Sequence, residues 1–522
     1  MNQCSTCHAN CSSDGFLPLW IIKICDDGLS AKLSAGLGRR ARYVTLSYRW
    51  GSMVRYKMTS ANRSDLQQQI PLCQIPRTFV DAIRVTRELG YSYLWIDALC
   101  ITQDSETELE AQIAAMQDIY SNSDLTLFAA AGDDAGAGLD RDRDVVLVRP
   151  IQVNVEVQLE PDSAAIGLTY FLKGPLGGTQ MQDLPLFRRG WVLQEQLLSR
   201  RSLIFTEHEI RWRCLCSDLS EQIPFHCFQP DSWLHPFEPD YHRLMMMVRN
   251  WICTNNVNEF GKYLSPMDAF HAIIQNYSQR RLTFTSDVLP AISGLLSVYE
   301  RRLGKHFISG ICFEDITGFL WFIYYPDKRA TSGHVLGQPS WSWTSRFGDS
   351  IDFRPADSVA AGGEIDMFNT MQVHLISGKS ATNNQITVMS WTRWANLDKR
   401  RDTQLRVHRF EIYPRDQKNR SELECRLDSE EWATYKSPTT ICRVLCILVA
   451  GTSRWRDRKS DYYIVARPHA DIPDCFTRIG LAWETYNGPE GRLMGDMQER
   501  NAVSESQRRT ADGADYTIQY LV

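Results

Sequence analysis

The sequence lacks a hydrophobic run long enough to cross a membrane. Its longest uncharged apolar stretch, Ile316 to Tyr325, is about half as long as a ~20-residue membrane-spanning helix, and its aromatic and branched residues favour a buried strand. The N-terminus also lacks the basic segment of a signal peptide, and Asp26 and Asp27 follow its apolar stretch instead of small residues. We therefore expect neither a membrane span nor secretion.

Concentrated charge and paired cysteines are lacking too. The 57 Lys and Arg are balanced by 62 Asp and Glu, for a net charge of -5, without a run of five or six like charges. A nucleic-acid interface needs a basic face, so we expect no nucleic-acid partner. The 15 cysteines are irregularly spaced, which is typical of reduced thiols inside the cell. This indicates the cytosol or the nucleus, and we expect a cytoplasmic protein.

The motifs of several enzyme classes are absent. The chain has no Walker A sequence, no Gly-x-Ser-x-Gly elbow and no His-Glu-x-x-His. Cys4-x-x-Cys7-His8, with Cys11 nearby, offers part of a zinc site, but no second Cys-x-x-Cys completes it, and we assign no metal. Cys100 could act as a nucleophile, but no histidine is near it in sequence, and a small buried cysteine is the commoner role.

Short β-type runs alternate with helical patterns in the first third of the chain, whose 522 residues leave room for roughly two to four domains. We predict strands at 43–48, 93–97 and 125–130, amphipathic helices at 76–90 and 106–120, and a further helix and strand pair between 191 and 215. Strands joined by helices form right-handed crossovers. The sequence therefore predicts an α/β fold with a parallel sheet, followed by a helical and then a β-rich region.

The carboxyl ends of the predicted strands carry polar residues. Ligands of open α/β sheets bind at these ends. The segment Ser47-Tyr-Arg-Trp-Gly51 either lines a nucleotide pocket or forms a turn in which Gly51 takes a positive φ. Asp97 either contacts a ribose hydroxyl or caps the following turn. The candidate nucleotide-binding residues are Ser47, Arg49, Trp50, Gly51, Asp97, Gln103 and Asp104.

Two carboxylates are candidates for chemistry. Glu110 lies in an acidic stretch at the start of the helix predicted at 106–120, offset from the apolar stripe of Leu109 and Ile113. Such a stretch commonly complements the helix dipole, but one carboxylate facing the crevice could stabilise an oxocarbenium-like centre. Glu195 could add to the same wall or pair with Arg189. We therefore take Glu110 and Glu195 as the candidate catalytic residues.

Five motifs follow one another along the chain. They are Leu46-Ser-Tyr-Arg-Trp-Gly51, Ile75-Pro-Arg-Thr78 with Asp81-Ala82, Tyr93 to Asp104, Met116-Gln-Asp-Ile-Tyr120 and Arg189-Gly-Trp-Val-Leu-Gln-Glu195. This succession resembles the fungal heterokaryon incompatibility (HET) domain. Further on, Pro339-Ser-Trp-Ser-Trp343 and Arg478-Ile-Gly-Leu-Ala482 look like the region that follows this domain in long fungal proteins. We expect an extension at 1–39, the HET domain at 40–215, a helical region at 216–310 and a mainly-β region at 311–522.

The resemblance implies an effector that triggers programmed cell death when fused fungal cells recognise non-self. HET domains are also remotely similar to TIR domains, some of which cleave NAD with a helix-borne glutamate. Two modes of action stay open, namely self-association or binding of a protein partner, and a TIR-like NAD glycohydrolase with NAD as substrate. In the HET pattern a glutamate precedes the Met116 position by four residues, and here Gln112 stands there. Glu108, Glu110 or Glu195 would then supply the carboxylate, or the activity is absent.

Overall fold

A computed structural model describes most of the chain, in two units. The first comprises Met1–Phe260 and Pro290–Val298, and the second Gly261–Leu289 and Tyr299–Val522. The described residues are 15–25, 30–51, 56–140, 151–157, 166–172, 181–215, 217–221, 240–254, 265–323, 335, 337–353, 366–369, 372–375, 386–401, 408–414, 424–427, 442–453, 458–487 and 515–521. The Cys4, Cys7, His8 and Cys11 group lies outside them.

The first unit is built on an eight-stranded sheet with a parallel centre. Its strands are β1 (Trp20–Ile24), β2 (Ala31–Ala35), β3 (Val44–Ser47), β4 (Tyr93–Trp95), β5 (Leu125–Ala129), β8 (Ser202–Phe205), β9 (Ile210–Arg213) and β10 (Asp218–Ser220), in the order β10-β9-β8-β5-β3-β4-β1-β2. The pairs β4–β3, β3–β5 and β5–β8 are parallel, and the outer pairs are antiparallel. A separate hairpin joins β6 (Ile151–Val157) to β7 (Ile166–Leu172).

Helices connect the parallel strands. They are α1 (Arg63–Gln68), α2 (Arg77–Glu88), α3 (Asp97–Cys100), α4 (Glu106–Asn122) and α5 (Val192–Leu198), followed by α6 (Asp240–Cys253), α7 (Pro266–Ser278) and α8 (Ser293–Leu303). Short 3-10 helices lie at Met181–Asp183, Pro185–Arg188, Thr285–Val288, Pro290–Ile292, Ile316–Phe319 and Trp343–Arg346. None of the described helices combines the length and apolar character needed to cross a bilayer.

The predicted α/β alternation is confirmed, with two differences. The sheet is parallel only in its centre, because short connections at both edges produce antiparallel hairpins, and β1 and β2 lie before the start predicted for the HET domain. The stretch from Ile316 was expected to be a strand, but it begins as a 3-10 helix because Asp315 accepts hydrogen bonds from the backbone and hydroxyl of Thr317. Within the described part of this stretch, which ends at 323, Trp321–Ile323 forms a strand.

The amino-terminal edge of the parallel strands contains a buried ion cluster. Asp124, fully buried just before β5, accepts hydrogen bonds from Arg42 at 2.6 Å and from Arg201 at 2.8 Å. Tyr91 donates to the same carboxylate. Since Arg42, Tyr91 and Arg201 precede β3, β4 and β8, the cluster ties four strands together at the end opposite to the predicted crevice.

The second unit is mainly β. Its strands are β11 (Phe307–Ile308), β12 (Ile311–Cys312), β13 (Trp321–Ile323), β14 (Ile351–Phe353), β15 (Asp366–Asn369), β16 (Gln372–Leu375), β17 (Ile386–Arg401), β18 (His408–Pro414), β19 (Glu424–Leu427), β20 (Cys442–Ser453), β21 (Arg458–Pro468), β22 (Cys475–Asn487) and β23 (Asp515–Leu521). Strands β15 to β23 form one sheet in which nearly all pairs are antiparallel.

Two motifs noted in the sequence form part of the core of the second unit. Trp343 donates from its indole nitrogen to the carbonyl of Gly310 at 3.0 Å, and Trp321 donates to the carbonyl of Trp341 at the same distance. Arg478 lies over the Trp321 ring at 3.8 Å and donates to the carbonyl of Phe319. Buried tryptophans and a satisfied buried arginine explain this sequence pattern by packing.

Candidate functional site

The strand order predicts a ligand-binding crevice at the carboxyl ends of β3 and β5. Among the parallel strands the order is β4-β3-β5-β8, so the chain leaves β3 toward β4 on one side and returns to β5 on the other. Neighbouring connections therefore diverge at the carboxyl ends of β3 and β5, which is where open α/β sheets bind ligands. Ser47, at the end of β3, marks this position.

Asp97 begins α3 directly after β4 and is held by three donors. Its carboxylate accepts hydrogen bonds from the Tyr48 hydroxyl at 2.7 Å, the Trp50 indole nitrogen at 2.6 Å and the Ala98 backbone nitrogen at 2.7 Å. Burial raises the pKa of Asp97, and the hydrogen bonds from Tyr48 and Trp50 oppose that rise. The bond from the Ala98 nitrogen ties the Asp97 carboxylate to the start of its own helix, whereas contact with a ribose hydroxyl stays a prediction.

Glu195 lies on α5 with only 6% of its surface exposed. Burial raises the pKa of its carboxyl to about 7; interactions with the Ser47 hydroxyl, Arg189 and the Tyr120 hydroxyl lower it, and the nearby Asp97 charge raises it. The structure therefore brings Glu195, Asp97 and Ser47 into one cluster. A carboxyl that exchanges its proton near neutral pH is suited to acid–base or electrostatic chemistry.

Tyr48 and Tyr120 join Ser47, Asp97 and Glu195 in this group, which we call the carboxyl cluster. Burial raises the pKa of Tyr48 and of Tyr120 well above the usual value, so both remain hydroxyl donors at neutral pH. Arg189 donates to the backbone carbonyl of Tyr48. Neither tyrosine was among the candidates predicted from the sequence, although each stands inside one of the five motifs, and this motif position was the available signal.

Buried hydroxyl groups fix α5 over the sheet. The Thr126 hydroxyl, on β5, lies 2.7 Å from that of Thr45 on β3 and 2.6 Å from that of Ser199. Ser199 follows α5 and donates to the backbone carbonyl of Glu195 at 2.6 Å. Because buried hydroxyls need partners, this series of hydrogen bonds sets the position of Glu195 relative to the strand ends.

The remaining predicted nucleotide-binding residues lie at the rim or support the loops. Arg49 pairs with Asp133 at 2.6 Å. Gln103 donates to the backbone carbonyls of Asp97 and Ile101, so it supports the α3 turn. Asp104 accepts hydrogen bonds from the backbone and hydroxyl of Ser60, which fastens the loop before α1.

Gly51 has the positive φ that the sequence suggested. Its φ is +59°, and a Cβ at this position would lie 2.3 Å from the Cβ of Asp134. We expect Gly51→Ala to lower the free energy of unfolding by about 2 kcal/mol or more, because backbone strain and a steric clash add together. Gly38→Ala is the control, since Gly38 also has a positive φ, of +77°, but a Cβ there meets nothing within 4 Å. Equal losses in urea titrations would contradict the close approach of the two loops.

The helix α4 presents a different face to the sheet than the sequence suggested. The buried residues are Gln112, Met116, Ile119 and Tyr120, whereas Leu109 is half-buried and Glu110 is exposed. The position at which the HET pattern has a glutamate thus lies on the sheet-facing side, but an amide stands there. Cys100 is fully buried, and burial raises the pKa of its thiol to about 12, so a thiolate is not formed at neutral pH.

The raised pKa of Glu195 predicts a pH-dependent stability. A carboxyl with a pKa of about 7 when folded and 4.5 when unfolded binds more protons in the folded state between those values, so stability is present below 4.5 and is lost as the pH rises through 7. At about 1.4 kcal/mol per pKa unit, the loss is about 3 kcal/mol. We expect Glu195→Gln to reduce this loss, as measured by urea unfolding at pH 5 and pH 8. Parallel stability curves for both proteins would contradict a strongly buried Glu195.

Comparison with known proteins identifies a family that matches part of the chain. Residues 43–195, which contain the whole carboxyl cluster, match the family described as Heterokaryon incompatibility protein (HET). The chain is therefore a HET domain-containing protein.

Among curated proteins, it is similar to "Heterokaryon incompatibility protein 6, OR allele" of Neurospora crassa, with 25% identity over 229 residues. This alignment covers 38% of the chain and 33% of the relative, so the chain spans about a third of that protein's length. No solved structure is significantly similar to the chain.

Proposed function

We propose that the chain is an effector of fungal heterokaryon incompatibility that acts in the cytoplasm and triggers programmed cell death on non-self recognition. The HET match and the similarity to the Neurospora crassa protein support this role. Expression of the full chain in a filamentous fungus tests it. Hyphae are expected to lose viability, and growth equal to that of an empty-vector strain would contradict the role.

Within this role, we propose that the crevice acts as a TIR-like NAD glycohydrolase. The observation that carries this proposal is the buried carboxyl of Glu195, next to Asp97 and at the end of β3. The central strand order, in which the first parallel strand lies between the second and third, supports the proposal, because open α/β sheets with such an order bind nucleotides at this point. Of the two candidate catalytic carboxylates we favour Glu195, because Glu110 is exposed to solvent.

The reaction would break the bond between ribose C1′ and the nicotinamide nitrogen. The electron pair of this bond passes to the nitrogen, which becomes neutral, and positive charge develops on the ribose as in other glycoside cleavages. Ionised Glu195 would stabilise that charge, and Asp97, held by Tyr48 and Trp50, would bind a ribose hydroxyl. Water then adds to C1′ and loses a proton, so that ADP-ribose, nicotinamide and a proton are formed.

Release of nicotinamide from NAD by the purified full chain tests the chemistry. The measurement is made over a range of protein concentrations, so that an activity requiring self-association is also detected. Nicotinamide is expected in proportion to ADP-ribose. A folded protein that releases none at any concentration would contradict the glycohydrolase proposal.

Self-association, or binding of a protein partner, is the second candidate, and surface charge favours it. Lys23 and Lys32 lie directly opposite each other on β1 and β2, an arrangement of like charges that is unfavourable in an isolated sheet. Helix α4 exposes Glu110 and Asp118, so a second copy offers complementary charge. Light scattering is expected to give a mass that rises with protein concentration and falls with added salt. A monomer at all concentrations would contradict self-association.

A further inference from the structure

The loop that follows β3 is held from two sides. Tyr48 and Trp50 both donate hydrogen bonds to Asp97, at 2.7 and 2.6 Å. The alternate residues point to the loop after β5, where Arg49 pairs with Asp133 at 2.6 Å and Gly51 packs against Asp134. The segment 47–51 therefore bridges the ends of β4 and β5, across the point at which the connections diverge.

This bridge lies at the carboxyl cluster. Ser47, with 1% of its surface exposed, begins the bridge, and its hydroxyl is one of the groups that lower the pKa of the buried Glu195 carboxyl. The Arg49–Asp133 ion pair, in contrast, is open to solvent, because the Arg49 side chain is 32% exposed and that of Asp133 is 89% exposed. Ion pairs exposed to this degree are weak and are screened by salt, so the Arg49–Asp133 pair breaks more readily than the hydrogen bonds to Asp97.

The partner of Arg49 is the Asp133 carboxylate, which lies at the rim of the proposed nucleotide-binding crevice. An arginine guanidinium binds phosphate oxygens in the same forked geometry in which it binds a carboxylate. An anion that enters the crevice therefore competes with Asp133 for the same donor groups. The competition costs little, since the exposed Asp133 carboxylate regains its hydration when it is displaced.

We infer that Asp133 is an internal competitor that occupies Arg49 in the free protein, and that a phosphate-bearing ligand displaces Asp133 and takes over the guanidinium. The inference rests on the proposed nucleotide-binding function of the crevice. In the complex, Arg49 binds the ligand's phosphates. The Arg49–Asp133 ion pair of the 47–51 segment is thereby replaced by an Arg49–phosphate ion pair.

Calorimetric titration of the full chain with ADP-ribose tests the inference. Removing the competing charge by Asp133→Asn is expected to tighten binding by about twofold to fivefold, the range that corresponds to an exposed ion pair. Asp140→Asn is the matched control, because it removes one negative charge from the same loop, where Asp140 pairs with Arg84 and not with Arg49. In the Arg49→Gln background, Asp133→Asn is expected to change nothing, as a double-mutant cycle requires.

Three results would overturn the inference. Equal tightening by Asp133→Asn and Asp140→Asn would indicate a general charge effect. Binding by the wild type that Asp133→Asn leaves unchanged would reject the competitor but not the proposed function, which nicotinamide release measures separately. Absence of ADP-ribose binding in every variant would reject the inference, and absence of nicotinamide release as well would reject the glycohydrolase with it.

Discussion

Glu195→Gln is expected to lower the rate of nicotinamide release by about 10²- to 10³-fold, the usual loss when one group that stabilises charge in the transition state is removed. Glutamine keeps the size of the buried side chain, but it cannot carry the negative charge that the ribosyl cation needs. The rate constant of the purified variant, compared with that of the wild type at saturating NAD, measures the effect.

Two further observations separate this role from a structural one. Because burial raises the pKa of Glu195 to about 7 and the ionised form is required, the wild-type rate is expected to fall as the pH drops below about 7. Glu106→Gln, an exposed change at the start of α4, controls for charge. Loss of activity in Glu110→Gln with full activity in Glu195→Gln would transfer the catalytic role to the other candidate carboxylate.

Asp124→Ala is expected to lower the free energy of unfolding by about 3–5 kcal/mol, because removing one partner of a buried ion pair leaves an uncompensated charge. The charge left behind is that of Arg201, whose side chain is only 6% exposed. The change also removes the acceptor of Arg42 and Tyr91, so three strand ends lose a contact. Urea unfolding of the full chain at neutral pH measures the loss.

The matched control for this prediction is Asp140→Ala. Asp140 pairs with Arg84, but both side chains are about half exposed, at 55% and 40%. An exposed pair contributes about 0–1 kcal/mol, so the control is expected to change stability little. Equal effects of the two substitutions would show that the cluster before β5 does not hold the sheet together.

The centre of the fold could be predicted because its signals are local. Apolar runs at β3, β4 and β5 alternate with helices that begin and end at recognisable residues, such as Pro76 before α2 and Gly90 after it. The antiparallel edges could not be predicted in the same way. Pairing of β1 with β2 and β4 depends on contacts between distant segments, which periodicity does not report.

The position of the site could be predicted from strand topology, but the buried face of α4 could not be predicted from periodicity. Because parallel strands end at the same edge of the sheet, the sequence could place Ser47, Trp50 and Asp97 close together, and the structure joins Trp50 to Asp97 directly. The buried face of α4 differs from the predicted one because the apolar residues of this helix form two overlapping stripes. The face with Gln112 and Tyr120 packs inward, and no rule of periodicity distinguishes it from the face with Leu109.

Viability of a filamentous fungus that expresses the full chain, with wild-type, Glu195→Gln and Glu106→Gln proteins at matched levels, shows whether Glu195 causes cell death. Wild-type and Glu106→Gln proteins are expected to kill, and Glu195→Gln, shown to be folded, is expected to leave the hyphae alive. Killing by Glu195→Gln at the wild-type rate would contradict a catalytic role of Glu195 and would favour signalling by self-association or partner binding without chemistry at the carboxyl cluster.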